Sequence, residues 1–309
     1  SKFWSFSQVL YRAMRTRLRK PRTAHTAIRL CASQKKTVMD YNQSLKNINS
    51  ISKINLYDDD AYERILGILN QTILPYFTVK LKANSILYRA RRKDHGNLIT
   101  TKDELSYRKD TDKILSFGRV NKPFQSMFYA SHMPKSAIFE SSSLIKENRN
   151  DIKKEKLIVG KWLVKEDVEL IGIISNKDAI KKNTNLNKLY IESTSQEIFK
   201  NHHTKRILEY FSREFAKYSN GDSNNYKITT AYYNLIINRL KGKVHGIIYP
   251  SVGFEYDDIN VALSPQSVDD FLLLNQVGEY SIDFNFTPKQ IIQTGLSDLK
   301  KFEINYINE

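Results

Sequence analysis

The chain of 309 residues has a single cysteine, Cys31. One thiol cannot close an internal disulfide, so the sequence predicts a protein of a reducing compartment, the cytoplasm, rather than a secreted one. No run of 18 apolar residues occurs, which leaves no candidate transmembrane helix and predicts no membrane partner. The first residues lack an apolar core of signal-peptide length. Several familiar chemistries also lack their residues. There is no Gly-rich phosphate loop and no G-x-G-x-x-G, no H-E-x-x-H, no partner thiol for zinc at Cys31 and no G-x-S-x-G elbow. His202 and His203 are adjacent on a predicted helix and point about 100° apart, a poor metal pair. No metal is expected.

Acids are missing from residues 1–38, which carry ten of the sixteen net positive charges. A basic arm of this kind can hold phosphate backbones or an anionic surface, and it can equally be a weakly helical extension. Its Arg-rich, acid-free composition also has the look of a leader or import presequence. Nucleic acid is therefore expected as a partner only through residues 1–38. The remainder, with 40% hydrophobic and 11% aromatic residues over the whole chain, is long enough to bury a substantial core as one large domain plus extensions, or as two domains.

Asp58-Asp59-Asp60 opens a predicted helix with acids in its first turn; Ile65, Leu66, Ile68, Leu69 and Ile73 form its apolar stripe, and Pro75 should end it. Residues 84–91 read as a strand and 92–118 as a long loop. A short strand is predicted at 127–131 and a helix from Pro134. The segments 157–164 and 168–174 alternate enough to pair with each other as strands. Overlapping capping boxes in Ser193–Glu197 predict the start of a helix running to Asn220-Gly221. A helix at 228–240, strands near 246–250 and 259–263, a helix from Pro265, a strand near 279–285 and a last helix after Thr287-Pro288 complete the expectation. Strands and helices mix without regular alternation, which predicts an α+β class with a bent mixed or antiparallel sheet.

Polar and charged groups stand at the edges of these runs. Arg89 and Arg91 lie two apart on a strand and face one side. Two buried guanidinium groups there would call for an anion between them, and a pyrophosphate suits their forks; the alternative is that one pairs with Asp103 or Glu104. Arg119 and Asn121 follow Gly118 in a turn. Tyr129 sits in an apolar strand as core or as a stacking surface. Glu140 ends the helical run Pro-Lys-Ser-Ala-Ile-Phe-Glu, whose other residues are small or apolar apart from Lys135. Ser251 leaves the strand Gly-Ile-Ile-Tyr-Pro, where polar groups are held by a rigid sheet. Thr229 and Thr230 start a helix, placed to cap it or to meet a phosphate at its N-terminus.

In this order and spacing, Leu87-Tyr88-Arg89, Gly118-Arg119-Val120-Asn121, Tyr129, Glu140 and Gly246–Ser251 followed by Asn260–Leu263 resemble the RES-domain family, named for its Arg, Glu and Ser. The resemblance covers about residues 81–275. It departs at Ala90, where some members carry an aromatic, and it leaves Ser251 and the Thr229/Thr230 pair as competitors for the serine role. It implies an ADP-ribosyltransferase-like sheet flanked by helices in a catalytic domain at 81–309; charge and pattern place an arm or leader at 1–38 and a helical extension at 39–80 before it. It further implies an NAD-degrading toxin that cleaves the nicotinamide–ribose bond by hydrolysis or phosphorolysis, with NAD as substrate, inorganic phosphate as a co-substrate in the second case, no resident cofactor, and a neighbouring antitoxin that blocks the site. Glu140, Arg89 and Ser251 would be catalytic; Arg91, Arg119, Asn121, Tyr129, Thr229 and Thr230 would bind the nucleotide. ADP-ribose transfer to a macromolecule and nucleic-acid binding through the arm are the competing expectations.

Overall fold

The computed structural model describes residues 40–92, 99, 101–142, 154–219, 221–283, 290–298 and 303–306. The arm expected at 1–38 and the Thr287-Pro288 pair lie outside these. The chain divides into Ser1–Asp40 and Tyr41–Glu309. Among the described residues the helices are α1 (40–51), α2 (Ala61–Asn70), α3 (Lys102–Leu105), α4 (Pro134–Ser141), α5 (Lys177–Lys182), α6 (Thr184–Thr194), α7 (His202–Phe215), α8 (Lys227–Leu240) and α9 (Pro265–Phe271). The strands are β1 (Thr78–Leu81), β2 (Ile86–Arg92), β3 (Phe128–Ser131), β4 (Lys154–Val164), β5 (Val168–Gly172), β6 (Gly246–Pro250), β7 (Ile259–Leu263), β8 (Leu272–Asp283), β9 (Gln290–Asp298) and β10 (Glu303–Tyr306).

The strands form one mixed sheet in the order β1-β5-β6-β7-β3-β2-β4-β8-β9-β10. Among the described strands only β5 and β6 pair in parallel; the class is α+β. β6 and β7 are buried at every position, which explains their near-continuous apolar sequences. Alternation sends Ile247, Tyr249 and Ala262 into one core with α1, α2, α7 and α8. Ile248, Val261 and Leu263 enter a second core on the opposite face, with Phe77, Trp162, Leu186 and Phe199. In the first core the rings of Phe211 and Tyr232, both fully buried, stack with centroids 3.8 Å apart and join α7 to α8.

Several expectations change. β4 and β5 do not pair with each other: β4 joins β2 and β8, and β5 joins β1 and β6. Alternation shows that a strand is half-buried, not which strand lies beside it. Residues 101–113, expected as loop, hold α3, capped by a reciprocal Thr101–Glu104 box, and a 3₁₀ turn at Thr111–Lys113. Ser193 and Ser195 do not start a helix; their hydroxyls bond back to the carbonyls of Leu189 and Glu192 at the end of α6. Asn201 caps α7 instead. α2 stops at Asn70 and α7 at Phe215, each short of its predicted end. The last helix expected after Pro288 is replaced by strand β9, which extends the ladder from β8. No division falls at residue 80, because β1 pairs with β5 and α1 and α2 share a core with α7 and α8.

Candidate active site

β2 and β3 share a single register pair, Tyr88 with Ser131, although β2 is paired with β4 from Ile86 to Arg92 and β3 with β7 throughout. The sheet therefore opens between them, and a cavity of about 260 Å³ lies at the opening. Arg89 reaches across. Its Nη1 donates to the Tyr129 carbonyl at 2.7 Å, so a side chain bridges the strands where backbone pairing stops. The guanidinium stacks over Phe128, 5.0 Å from the ring centroid. Burial pushes its pKa down to about 9, with Arg91 and Arg108 adding repulsion, so it remains a cation at neutral pH.

Glu140 enters from α4. The apolar side of that helix, Ala137 and Ile138, packs against Ala90, Leu157 and Val159, and this sets the carboxylate at the cavity. Three donors converge on Oε1: Ser251 Oγ at 2.8 Å, Asn260 Nδ2 at 2.9 Å and the Gly253 amide at 3.2 Å. Asn260 is itself fixed, because its Oδ1 accepts from Ser131 Oγ at 2.7 Å. Ser251 accepts from Ser136 Oγ at 3.1 Å. The loop between β6 and β7 can approach so closely because residue 253 is glycine: a Cβ there would lie 3.1 Å from both Cδ and Oε1 of Glu140. Behind this set the buried carboxyl of Asp258 accepts from the Met133 amide at 2.9 Å, and burial raises its pKa.

The opposite wall is the turn at 118–121. Tyr129 holds it: its hydroxyl donates to Asn121 Oδ1 at 2.7 Å and accepts from the Val120 amide at 3.1 Å. Thr229 and Thr230, in the first turn of α8, donate to the carbonyls of Arg119 and Gly118 at 2.7 and 2.8 Å. Gly118 has no room for a side chain, since a Cβ would sit 2.2 Å from Asn121 Oδ1 and 2.9 Å from the Tyr129 hydroxyl. Arg119 donates to the Phe215 and Lys217 carbonyls at the end of α7, the negative pole of that helix, and lies 4.9 Å from the Tyr226 ring centroid and 5.7 Å from that of Tyr249. Burial raises the pKa of both the Tyr129 and Tyr249 hydroxyls.

No protein-family model matches the chain, and no curated protein matches it. The site is therefore read from its own geometry. Of the residues singled out in the sequence, Glu140, Arg89, Arg119 and Tyr129 line one cavity. The others take different positions. Ser251 is fully buried beneath Glu140 and orients the carboxylate rather than facing the cavity. Arg91 is not at the cavity; its Nη2 donates to the Ser106 carbonyl at 2.8 Å, not to Asp103 or Glu104. Asn121, Thr229 and Thr230 brace the Arg119 turn from behind and do not line the cavity. The Tyr129 hydroxyl is committed to that turn, so this residue contributes a wall. Tyr88, Tyr226, Tyr249 and Asn260 also line the cavity; three of them stand in the quoted motifs, but none was given a role at the site. For Asn260 a signal existed: an amide inside the apolar strand Ile-Asn-Val-Ala-Leu must find a partner. The tyrosines carried none, because an aromatic in an apolar run usually denotes core.

Among the described residues, no carboxylate lies within ion-pair distance of Arg89 or Arg119. A carboxylate oriented by three donors thus shares a small aromatic-walled cavity with two cations whose own hydrogen bonds go to neutral carbonyls. Such a site suits an anion joined to a group that develops positive charge.

Proposed function

We propose that this chain cleaves the nicotinamide–ribose bond of NAD. The observation that supports this reading is the convergence of Glu140, Arg89 and Arg119, from three separate stretches of sequence, on one cavity. Glu140, Arg89 and Arg119 each belong to a stretch that resembles a RES-domain motif, which links the geometry to the expectation. At about 260 Å³ the cavity falls just under the usual range of ligand pockets, a size for the nicotinamide riboside end of the dinucleotide with its phosphates toward the arginines.

In the proposed reaction the bond between ribose C1′ and the pyridinium nitrogen breaks heterolytically. The electron pair leaves with nicotinamide, which departs neutral, so no acid is required. Positive charge develops on the ribose. Glu140, preoriented by Ser251, Asn260 and Gly253, stabilises that charge and accepts from the ribose hydroxyls. Arg89 and Arg119 hold the pyrophosphate; Tyr88, Tyr226 and Tyr249 provide aromatic walls for the departing ring. Water or phosphate then bonds to C1′, giving ADP-ribose or its 1-phosphate, and a proton leaves with the attack. A protein inhibitor covering the mouth of the cavity is the partner this reading implies. The test is to incubate the purified chain with NAD, with and without inorganic phosphate, and identify the products. Free nicotinamide with a matching ribosyl product supports the reading; intact NAD overturns it. Label from NAD appearing on protein or nucleic acid would point to macromolecular transfer instead.

A further inference from the structure

On the face of the sheet opposite Glu140 lies a second cavity, of about 300 Å³, which shares no lining residue with the first. Its floor is apolar. Leu87, Ile248, Ile259 and Val261 line it and belong to the second core. Ile259 and Val261 alternate along β7 with Asn260, whose amide holds Glu140 on the other face. Helix α6 forms a wall. Leu186 anchors that helix, fully buried in the second core, whereas Leu189 packs against the core only in part, so the helix leaves room beneath its next turn. Asn185, Lys188, Leu189 and Glu192 all line the cavity, and their helical spacing puts them on one face of α6. Lys188 and Glu192 stand one turn apart, with the lysine first, the weaker order for such a pair. Among the described residues neither forms an ion pair, with the other or with any third group. The other charged or titratable groups at the cavity each have an acid at hand: Asp167 lies 3.2 Å from Lys82, Glu169 3.7 Å from Lys80 and Asp258 3.8 Å from His132. The mouth thus carries one unmatched cation and one unmatched anion above an apolar floor. A mostly apolar hollow with a few polar groups at its edge is the form of a small-molecule site.

We propose that this cavity binds a free α-amino acid with an apolar side chain. The carboxylate meets Lys188, the ammonium meets Glu192, and the side chain lies on Leu87, Ile248, Ile259 and Val261. A zwitterion answers both unmatched charges, which neither a fatty acid nor an alkylamine does. At about 300 Å³ the cavity stands at the lower bound of ligand pockets, a size for so small a molecule. Binding here does not depend on NAD cleavage, because the two cavities are separate.

The experiment titrates leucine and phenylalanine calorimetrically into the full chain, then three fragments of leucine's chemistry: isocaproate, which lacks the ammonium, isoamylamine, which lacks the carboxylate, and glycine, which lacks the apolar body. Leucine or phenylalanine should bind, and each fragment should bind roughly tenfold or more weakly, the loss expected for a charge-assisted hydrogen bond or a buried side chain. Lys188→Gln and Glu192→Gln should each weaken binding of the amino acid to a similar degree, while Lys205→Gln on α7 should not. All three positions are exposed, so the replacements leave the fold intact, and circular dichroism checks each variant. No binding of either amino acid by the wild type at millimolar concentrations overturns the site. So does a fragment that binds as tightly as the amino acid, or wild-type affinity in either α6 variant. The fragment series needs no variant and decides the question by itself. If the wild type leaves NAD intact, the cleavage reading falls while these titrations still stand.

Discussion

Glu140 receives three hydrogen bonds on one oxygen, and each donor comes from the β6–β7 hairpin. Under the proposed mechanism its charge is needed only as the ribose becomes cationic. Glu140→Gln should therefore lower NAD turnover by about 10²–10³-fold with an unchanged circular dichroism spectrum; turnover at the wild-type rate would remove Glu140 from the chemistry. Ser251→Ala tests orientation separately. The carboxylate stays but loses one guide, so kcat should fall by up to about 10²-fold while KM moves little, as steady-state kinetics will show. Gly118→Ala tests the opposite wall. The added methyl meets Asn121 and the Tyr129 hydroxyl inside a buried network, and overpacking of this kind costs about 1–3 kcal/mol. A lowered Tm together with a raised KM for NAD is the expected result. These residues differed in how readable they were. Glu140 could be picked out because an acid on a largely apolar helix is conspicuous. Ser251 could be located but not given its role, since a sequence does not tell whether a hydroxyl faces a ligand or the carboxylate behind it.

Helix α8 acts on the site through its first turn. Thr229 and Thr230 satisfy two carbonyls of the Gly118-Arg119 turn, and α7 meets Arg119 with its C-terminal carbonyls. The Phe211–Tyr232 stack joins these helices, so the position of one guanidinium depends on how two helices pack. The double replacement of Thr229 and Thr230 by Val keeps the volume but leaves both carbonyls unsatisfied. Each lost bond should cost about 1 kcal/mol in urea unfolding, and KM for NAD should rise with kcat largely retained. Elements bounded by strong local signals were readable: Pro134 and Pro265 open their helices, and β6 and β7 fall where continuous apolar residues end. Elements that depend on distant partners were not. Residues 290–298 continue the ladder from β8 because the sheet offers an unpaired edge there, a long-range circumstance that overrides local preference.

At the scale of the whole molecule, the site belongs to the unit Tyr41–Glu309. Removing residues 1–38 should leave NAD turnover unchanged, and loss of activity in that truncation would place function in the basic arm. Asp258 links the site to global stability. Burial raises its folded pKa above the unfolded value of 3.8, so its contribution is complete below pH 3.8 and declines as the pH rises and the buried carboxyl ionises. Asp258→Asn should match the wild type in stability at acid pH and equal or exceed it at neutral pH; denaturant unfolding at both will test this. The amino-acid sequence alone determined the α+β class, the short runs that became β2, β3, α4, β6 and β7, and the presence of acids, guanidiniums and hydroxyls at their edges, because periodicity and local propensity act over a few residues. Only the tertiary structure decided that β2 and β3 part after a single pair, that Arg89 and Arg119 share the opening with Glu140 while Arg91 turns to Ser106, and that Ser251 and the threonines brace the site from behind. Those outcomes depend on which strands pair and which cavities close, and pairing and packing between residues a hundred positions apart leave no trace in local pattern.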